Sequence, residues 1–363
     1  MFEKIKNFLH RKPSSSIMES KFFEPRPDYN EGYNEEENTV VRLVSPKKKN
    51  AKPYQVTGIE DVASKNNWKA WIYLAPVIVL IVVFLLYPLV NTIFIAFAKD
   101  YQYATGTFSG LTLENFGIIF RLVEVNGAKE QYFIEYAIPN TLILTFVTVP
   151  VSIFLALIIS VALNSIKWFQ KFLQTVFFLP YVTNAVAIGL VFSVMFDDKG
   201  VINYIFGSNI TWIYGATREV ALIPLSIYIV WHSLPFKILI LLSGLQGVDK
   251  QYYQAAQIDA APKRKVLFRI TVPLLSPQIL YIMITSFIAA FKEYTSVVSV
   301  FGGPGTLGKA SVVPNMETIV YYIYSNVESL NTSRAAAAAV FLFVIILLFT
   351  FFQFKVSKTR VHY

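Results

Sequence analysis

The sequence predicts an all-α integral membrane protein with six transmembrane helices. Three observations carry that prediction. Hydrophobic residues make up 55% of the 363 residues and charged residues only 15%, whereas a soluble domain averages roughly a quarter charged. Six stretches are long and apolar enough to cross a bilayer, which takes roughly 20 residues of helix. Lysine and arginine crowd into alternate connections between those stretches, as membrane topology requires. The mean hydropathy is +0.49.

The first 66 residues stand apart. Residues 13–50 are rich in Ser, Pro, Glu, Asn and Lys, with an acidic stretch at Glu35, Glu36 and Glu37. Such a composition cannot bury enough apolar area to offset its ordering entropy, so 1–66 is expected to be a mostly disordered cytoplasmic tail. At its start, Phe2, Ile5, Phe8 and Leu9 share a helical face among Lys4, Lys6, Arg11 and Lys12. That pattern fits a helix on the inner membrane surface and equally a frayed basic tail. Lys47, Lys48 and Lys49 are suited to contact membrane lipid.

The six-span domain is read as 67–363. Its spans are placed at Trp71–Ala96, Ile138–Ala162, Phe172–Phe196, Leu222–Gln246, Leu274–Val298 and Ala336–Phe354, the third broken by Pro180 and the fourth by Pro235. Basic residues precede the first span (Lys47, Lys48, Lys49, Lys52, Lys65, Lys69) and lie between the second and third (Lys167, Lys171). They lie also between the fourth and fifth (Lys250, Lys263, Arg264, Lys265, Arg269) and after the sixth (Lys355, Lys358, Arg360). This bias puts both termini, and the loop between spans four and five, in the cytoplasm.

The net charge of +9 raises nucleic acid as a partner. The basic residues flank apolar runs, so the charge is assigned to topology and no nucleic acid is expected. The chain has no cysteine, and His10, His232 and His362 are far apart. Disulfides, thiolate chemistry and zinc spacing are therefore excluded, and no metal is expected. No catalytic constellation stands out, so the chain is read as non-enzymatic.

The loop between spans four and five is the most informative stretch. A short helix can start at Asp249, whose carboxylate can accept from free backbone N–H groups. It should stop near Ala261, because Pro262 disfavours helix in the residue before it. Ala255, Ala256, Ala260 and Ala261 keep one side small, and Tyr252 and Tyr253 supply apolar faces with polar tips. These residues fit a helix that docks on another protein and one that lies flat on the bilayer.

The same stretch resembles the conserved cytoplasmic loop of ABC-importer permeases: E-A-A, three residues, G, nine residues, I-x-L-P. Gln254, Ala255 and Ala256 stand at E-A-A, Ala260 at the glycine, Ile270 at the isoleucine, Val272 at the leucine and Pro273 at the proline. Spacing is kept while Glu, Gly and Leu are replaced. Its surroundings are similar to the carbohydrate-uptake class. Leu113–Phe116 matches a Leu-Glu-Asn-Phe after span one, and Asn140-Thr141 an Asn-Thr opening span two. Trp231 and Gly244–Gln246 match span four, Gly302–Gly305 the turn after span five, and Tyr321–Tyr324 the approach to span six. The resemblance runs from about residue 68 to 356.

The resemblance implies the type I ABC importer permease fold, with a cytoplasmic coupling helix in a loop at 247–273. It implies a second permease subunit, a cytoplasmic ATPase dimer holding ATP and Mg²⁺, and an extracellular solute-binding lipoprotein. It also implies a bacterial cell-membrane location and a sugar as solute. ATPase coupling would fall to Tyr252, Tyr253, Gln254, Ala255, Ala256, Asp259 and Ala260. Gln254 offers only neutral hydrogen bonds where the family has a glutamate.

One phosphate-binding lookalike is set aside. Gly303–Ala310 approaches a P-loop, but Ala310 stands where that motif needs Ser or Thr to reach Mg²⁺. The ATPase is therefore expected on another chain.

Ionisable groups inside spans are expensive and mark candidate pathways. Span four carries His232 and Lys237, and span five carries Lys292 and Glu293. With Tyr228, Trp231, Phe291 and Tyr294 nearby, His232, Lys237 and Glu293 form the candidate solute pathway, because aromatic faces and polar donors suit a sugar. Lys237 also fits an anionic solute, a snorkelling role, or a pair with an acid on a partner. Two other functions are compatible with a six-span bundle. A membrane enzyme would need a catalytic pair, for which His232 and Glu293 are the available groups. An ion-driven secondary transporter would need inverted repeats with matching broken helices.

Overall fold

The computed structural model describes residues 67–125, 128–166, 170–303 and 315–357. The tail 1–66 and the P-loop-like residues 304–310 lie outside them. The chain divides into two units, 1–74 and 75–363. In the first, residues 67–74 are helical.

Four helices are long and apolar enough to cross a membrane: α1 (Trp71–Phe97), α3 (Phe133–Ser165), α7 (Arg218–Gly247) and α13 (Thr332–Ser357). Two bent pairs bring the number to six when each pair is taken as one span. The first joins α4 (Gln170–Val182) to α5 (Ala185–Met195) through 95°, and the second joins α9 (Lys263–Leu274) to α10 (Ser276–Phe291) through 68°. Between α1 and α3 lie two short hairpins, Ala98–Lys99 with Gly110–Leu111 and Glu124–Val125 with Ala128–Lys129, and the helix α2 (Glu114–Ile119). Short helices α6 (Val201–Phe206), α8 (Lys250–Ile258), α11 (Thr295–Phe301) and α12 (Ile319–Glu328) complete the order.

The exposed surface is that of a membrane protein. Most of the large apolar side chains of α1 and the outward faces of α3 and α13 are exposed, an arrangement that water would penalise and lipid does not. Inside, α3 turns a stripe of small and polar residues inward: Thr141, Thr145, Thr148, Ser152, Ala156 and Ser160. Small side chains let helices approach closely in lipid. The Ser160 hydroxyl lies 2.6 Å from the Ala156 carbonyl and 3.2 Å from that of Ile238 on α7.

Three placements differ from the sequence expectation. Pro235 does not break the fourth span, because α7 runs unbroken through Pro224 and Pro235. The third span breaks at Thr183–Asn184 rather than at Pro180, which lies inside α4. The Asn184 side chain accepts from the N–H groups of Val186 and Ala187 and restarts the chain as α5. The fifth span does not run Leu274–Val298. It bends at Leu275, ends at Phe291, and resumes as α11 after Lys292, Glu293 and Tyr294.

Candidate functional site

Two regions hold most of the residues singled out by sequence: the loop helix α8, and the break between α10 and α11 where it faces α7.

α8 starts where expected. Asp249 caps it, with its carboxylate accepting from the Gln251 N–H at 2.9 Å. It stops at Ile258, three residues short of Ala261. The reason is a Schellman turn: Ala261 N–H reaches the Ala256 carbonyl and Ala260 N–H that of Gln257, both at 3.0 Å. This geometry puts Ala260 at φ +49°, in the left-handed region. Glycine adopts that conformation without steric cost, so the alanine at the family's glycine position holds a conformation meant for glycine.

The alanines do not form one free face. Ala256 is 5% exposed and packs into its own chain, as Tyr253 does in part, its hydroxyl 3.4 Å from Thr271 Oγ1. Tyr252, Gln254, Ala255, Asp259 and Ala260 are exposed. Ile258, which sequence reasoning passed over, is 86% exposed at the tip. The side turned away from the bundle thus offers a tyrosine, an amide, a methyl and an isoleucine.

The second region is built on two half-helices. α5 and α11 pack against each other so closely that a Cβ built on Gly189 would overlap the Ser299 side chain. Tyr228 of α7 is fully buried beneath them and donates to the Ala185 carbonyl at 2.7 Å, at the first turn of α5. His232 lies one turn along α7, its ring 5.8 Å from that of Tyr228. Trp231 is exposed and touches Phe192 of α5. Glu293 sits in the break, where its carboxylate accepts from the Ser296 N–H at 3.0 Å and so starts α11. Tyr294 stacks on Tyr324 with ring centres 4.4 Å apart.

The structure therefore brings Tyr228, His232, Trp231, Glu293 and Tyr294 around the α5–α11 pair. It does not bring Phe291 or Lys237 to the same place. Phe291 is buried among Phe146 and Phe349. Lys237 lies further along α7, 4% exposed, and takes part in none of the three ion pairs among the described residues.

At the end opposite α8, motif residues turn out to be ties. Asn115 donates to the carbonyls of Ala96 and Ala98, closing the end of α1. Asn140 donates to the Glu317 and Asn315 carbonyls, accepts from Arg218 at 2.7 Å, and so joins α3, α7 and the segment before α12. Thr141 accepts from the Ile319 N–H. Thr318 donates to the Glu293 carbonyl at 2.6 Å, linking that segment to the break. Glu317, 9% exposed with one carboxylate oxygen unpartnered, is pushed up to about 7 by burial and by repulsion from Glu130.

Residues 149–361 match the family described as "Binding-protein-dependent transport system inner membrane component". The chain is 30% identical over 262 residues to the lactose transport system permease protein LacF of Rhizobium radiobacter, covering 70% of this chain and 82% of LacF. It is 26% identical over 309 residues to the sn-glycerol-3-phosphate transport system permease protein UgpA of Agrobacterium fabrum, covering 84% of this chain and all of UgpA. Its fold is similar to that of a chain in the crystal structure of a bacterial ABC transporter that imports the acidic polysaccharide alginate. The TM-score there is 0.66 at 21% identity, over 84% of this chain and 99% of the other.

Proposed function

This chain belongs to the family of binding-protein-dependent transport system inner membrane components, and from that premise we propose that it moves a carbohydrate across the membrane by alternating access, driven by an ATPase on a separate chain. Its fold is that of the type I ABC importer permeases, and it is a membrane subunit of an ABC transporter. The observation that carries the finer reading is the 30% identity to a lactose permease subunit over most of both chains. The aromatic and polar set at the α5–α11 pair supports it.

On this reading α8 is the coupling helix and faces the cytoplasm with both chain termini. A second permease subunit completes the pathway, a lipoprotein outside delivers the solute, and ATP and Mg²⁺ are held by the ATPase dimer. A lever must be stiff and well seated. α8 meets both needs, with a capped start, a Schellman stop, and Ala256 and Tyr253 anchoring it to the bundle. Its exposed residues Tyr252, Gln254, Ala255 and Ile258 would touch the ATPase. Gln254 contributes a neutral hydrogen bond of ~0.5–1.5 kcal/mol where a glutamate would contribute ~1.5–3.

The test is purification of the tagged chain from gently solubilised membranes, followed by reconstitution and uptake of labelled sugars. Co-purification of a second six-span subunit, an ATPase and a lipoprotein, with ATP-dependent sugar uptake, is the expected result. A chain that comes out alone and without ATPase activity in several detergents overturns the reading.

A further inference from the structure

α9 (Lys263–Leu274) follows the turn that ends α8 and leads into α10. It carries Lys263, Arg264, Lys265 and Arg269, and the sequence has no acidic residue between Asp259 and Glu293. Arg264 and Phe268 stand one turn apart, as do Lys265 and Arg269, and all four are exposed on one side of the helix. Phe268 is 65% exposed among these cations. The other side is turned inward. Val266, Leu267 and Ile270 are partly buried, and Thr271 is buried with its hydroxyl 3.4 Å from that of Tyr253 on α8. None of the three ion pairs among the described residues uses a cation of α9.

Two features say what covers this side. The first is depth. α10 carries the crossing, and α9 is bent 68° away from it. α9 is about 18 Å long, and only about 7 Å of that length lies along the direction in which α10 crosses. One headgroup layer is about 5–8 Å deep, so α9 runs along the membrane surface within that layer. The second is composition. Cations around a phenyl ring offer charge to phosphates and an apolar wedge to acyl chains, as interfacial amphipathic helices do. An acidic protein surface would match the cations but would bury the ring against charge.

We propose that the exposed side of α9 binds the headgroups of anionic phospholipids, with Phe268 seated among their acyl chains, and that this contact fixes the base on which α8 moves. α9 joins α8 through the turn at Ala260–Pro262 and through Tyr253 and Thr271. A lipid anchor on α9 therefore holds the foot of the lever. The leaflet is the cytoplasmic one, which rests on the reading of α8 as the coupling helix.

The test reconstitutes the complete importer in vesicles of phosphatidylcholine with zero to about 30% phosphatidylglycerol. Sugar uptake per ATP hydrolysed is read in each, and native mass spectrometry counts the phosphatidylglycerol molecules that the protein retains. Arg264→Gln, Lys265→Gln and Arg269→Gln together remove the charge. Arg264→Lys with Arg269→Lys keeps it, and Phe268→Ser removes the wedge. Each lost charge should weaken lipid association about fivefold, so the triple variant should lose about a hundredfold and its uptake should no longer respond to phosphatidylglycerol. The lysine variant should respond as the unaltered protein does, and Phe268→Ser should retain less lipid. Where the triple variant does not assemble, Arg264→Gln and Arg269→Gln take its place singly, each with the fivefold loss. Lipid retention and response unmoved by loss of charge overturn the proposal. Loss of the ATPase from the charge variant, with lipid retention unchanged, also overturns it and assigns this side of α9 to the ATPase. Absence of sugar uptake in every lipid overturns the transport reading, and the comparison of retained lipid still decides what α9 binds.

Discussion

The packing of α5 on α11 yields a sharp prediction. Gly189 allows the contact: a Cβ there would overlap Ser299 Oγ and Cβ and lie 3.2 Å from the Ser299 carbonyl carbon. Gly189→Ala therefore forces the two half-helices apart. Overpacking of this kind typically costs ~1–3 kcal/mol, partly offset by the ~1 kcal/mol by which alanine favours helix over glycine. The net loss should lie between about 0 and 2 kcal/mol. Ser299→Gly removes both overlapping atoms and leaves only the backbone contact, a few tenths of an ångström inside the ~3.5–4.0 Å optimum. By itself it costs about 1 kcal/mol, through helix propensity and the lost bond from Ser299 Oγ to the Ser296 carbonyl. The double variant should be more stable than the sum of the two losses by ~1–3 kcal/mol. Thermal unfolding of the four proteins in one detergent measures this, with uptake as a second readout. Additive losses in the double variant would show that the half-helices do not touch as described.

Three further outcomes follow from the geometry. Ala260→Gly should relieve a left-handed alanine that costs ~1–2 kcal/mol, and after the entropy lost by glycine it should leave α8 about 0.5–1 kcal/mol more stable. Slower amide hydrogen exchange in 250–258 is the readout, and faster exchange would count against the Schellman stop. Tyr228→Phe removes the bond to the Ala185 carbonyl and should destabilise the fold by ~0.5–1.5 kcal/mol, with a larger effect on uptake if α5 borders the pathway. Glu317 gives a pH dependence. Its carboxyl is raised from an ordinary 4.5 to about 7, so the fold prefers it neutral. The stability it contributes is complete below about pH 4.5, falls as pH rises, and is lost above about pH 7, for a total near 3 kcal/mol. Glu317→Gln should flatten the melting temperature across that window, and an unchanged pH profile would place the carboxyl in contact with water.

The six-span architecture was legible because hydropathy and basic flanks are written residue by residue and act locally. The start of α8 was legible for the same reason, since a cap needs only Asp249 and the N–H of Gln251. Proline misled in both directions. Pro180 and Pro235 stand inside continuous helices, because packed neighbours hold a membrane helix together past a missing donor. The real breaks fall at Asn184 and at Lys292–Tyr294, where side chains of Asn184 and Glu293 restart the helix. The residues named for a pathway are only partly brought together. Tyr228, His232 and Glu293 converge, but Phe291 and Lys237 face elsewhere, because residues close along a helix can point to different neighbours.

By itself, then, the sequence determined which segments lie in lipid, which connections carry the basic charge, and where the loop helix starts. Those properties depend on composition and on partners within about one helical turn. Only the tertiary structure decided that Gly189 faces Ser299, that Ala256 turns inward while Ile258 stands free, and that Asn140 ties α3 to a segment some 175 residues away. Each of these depends on which helix lies against which, and contacts between distant segments leave no periodic trace in a single chain.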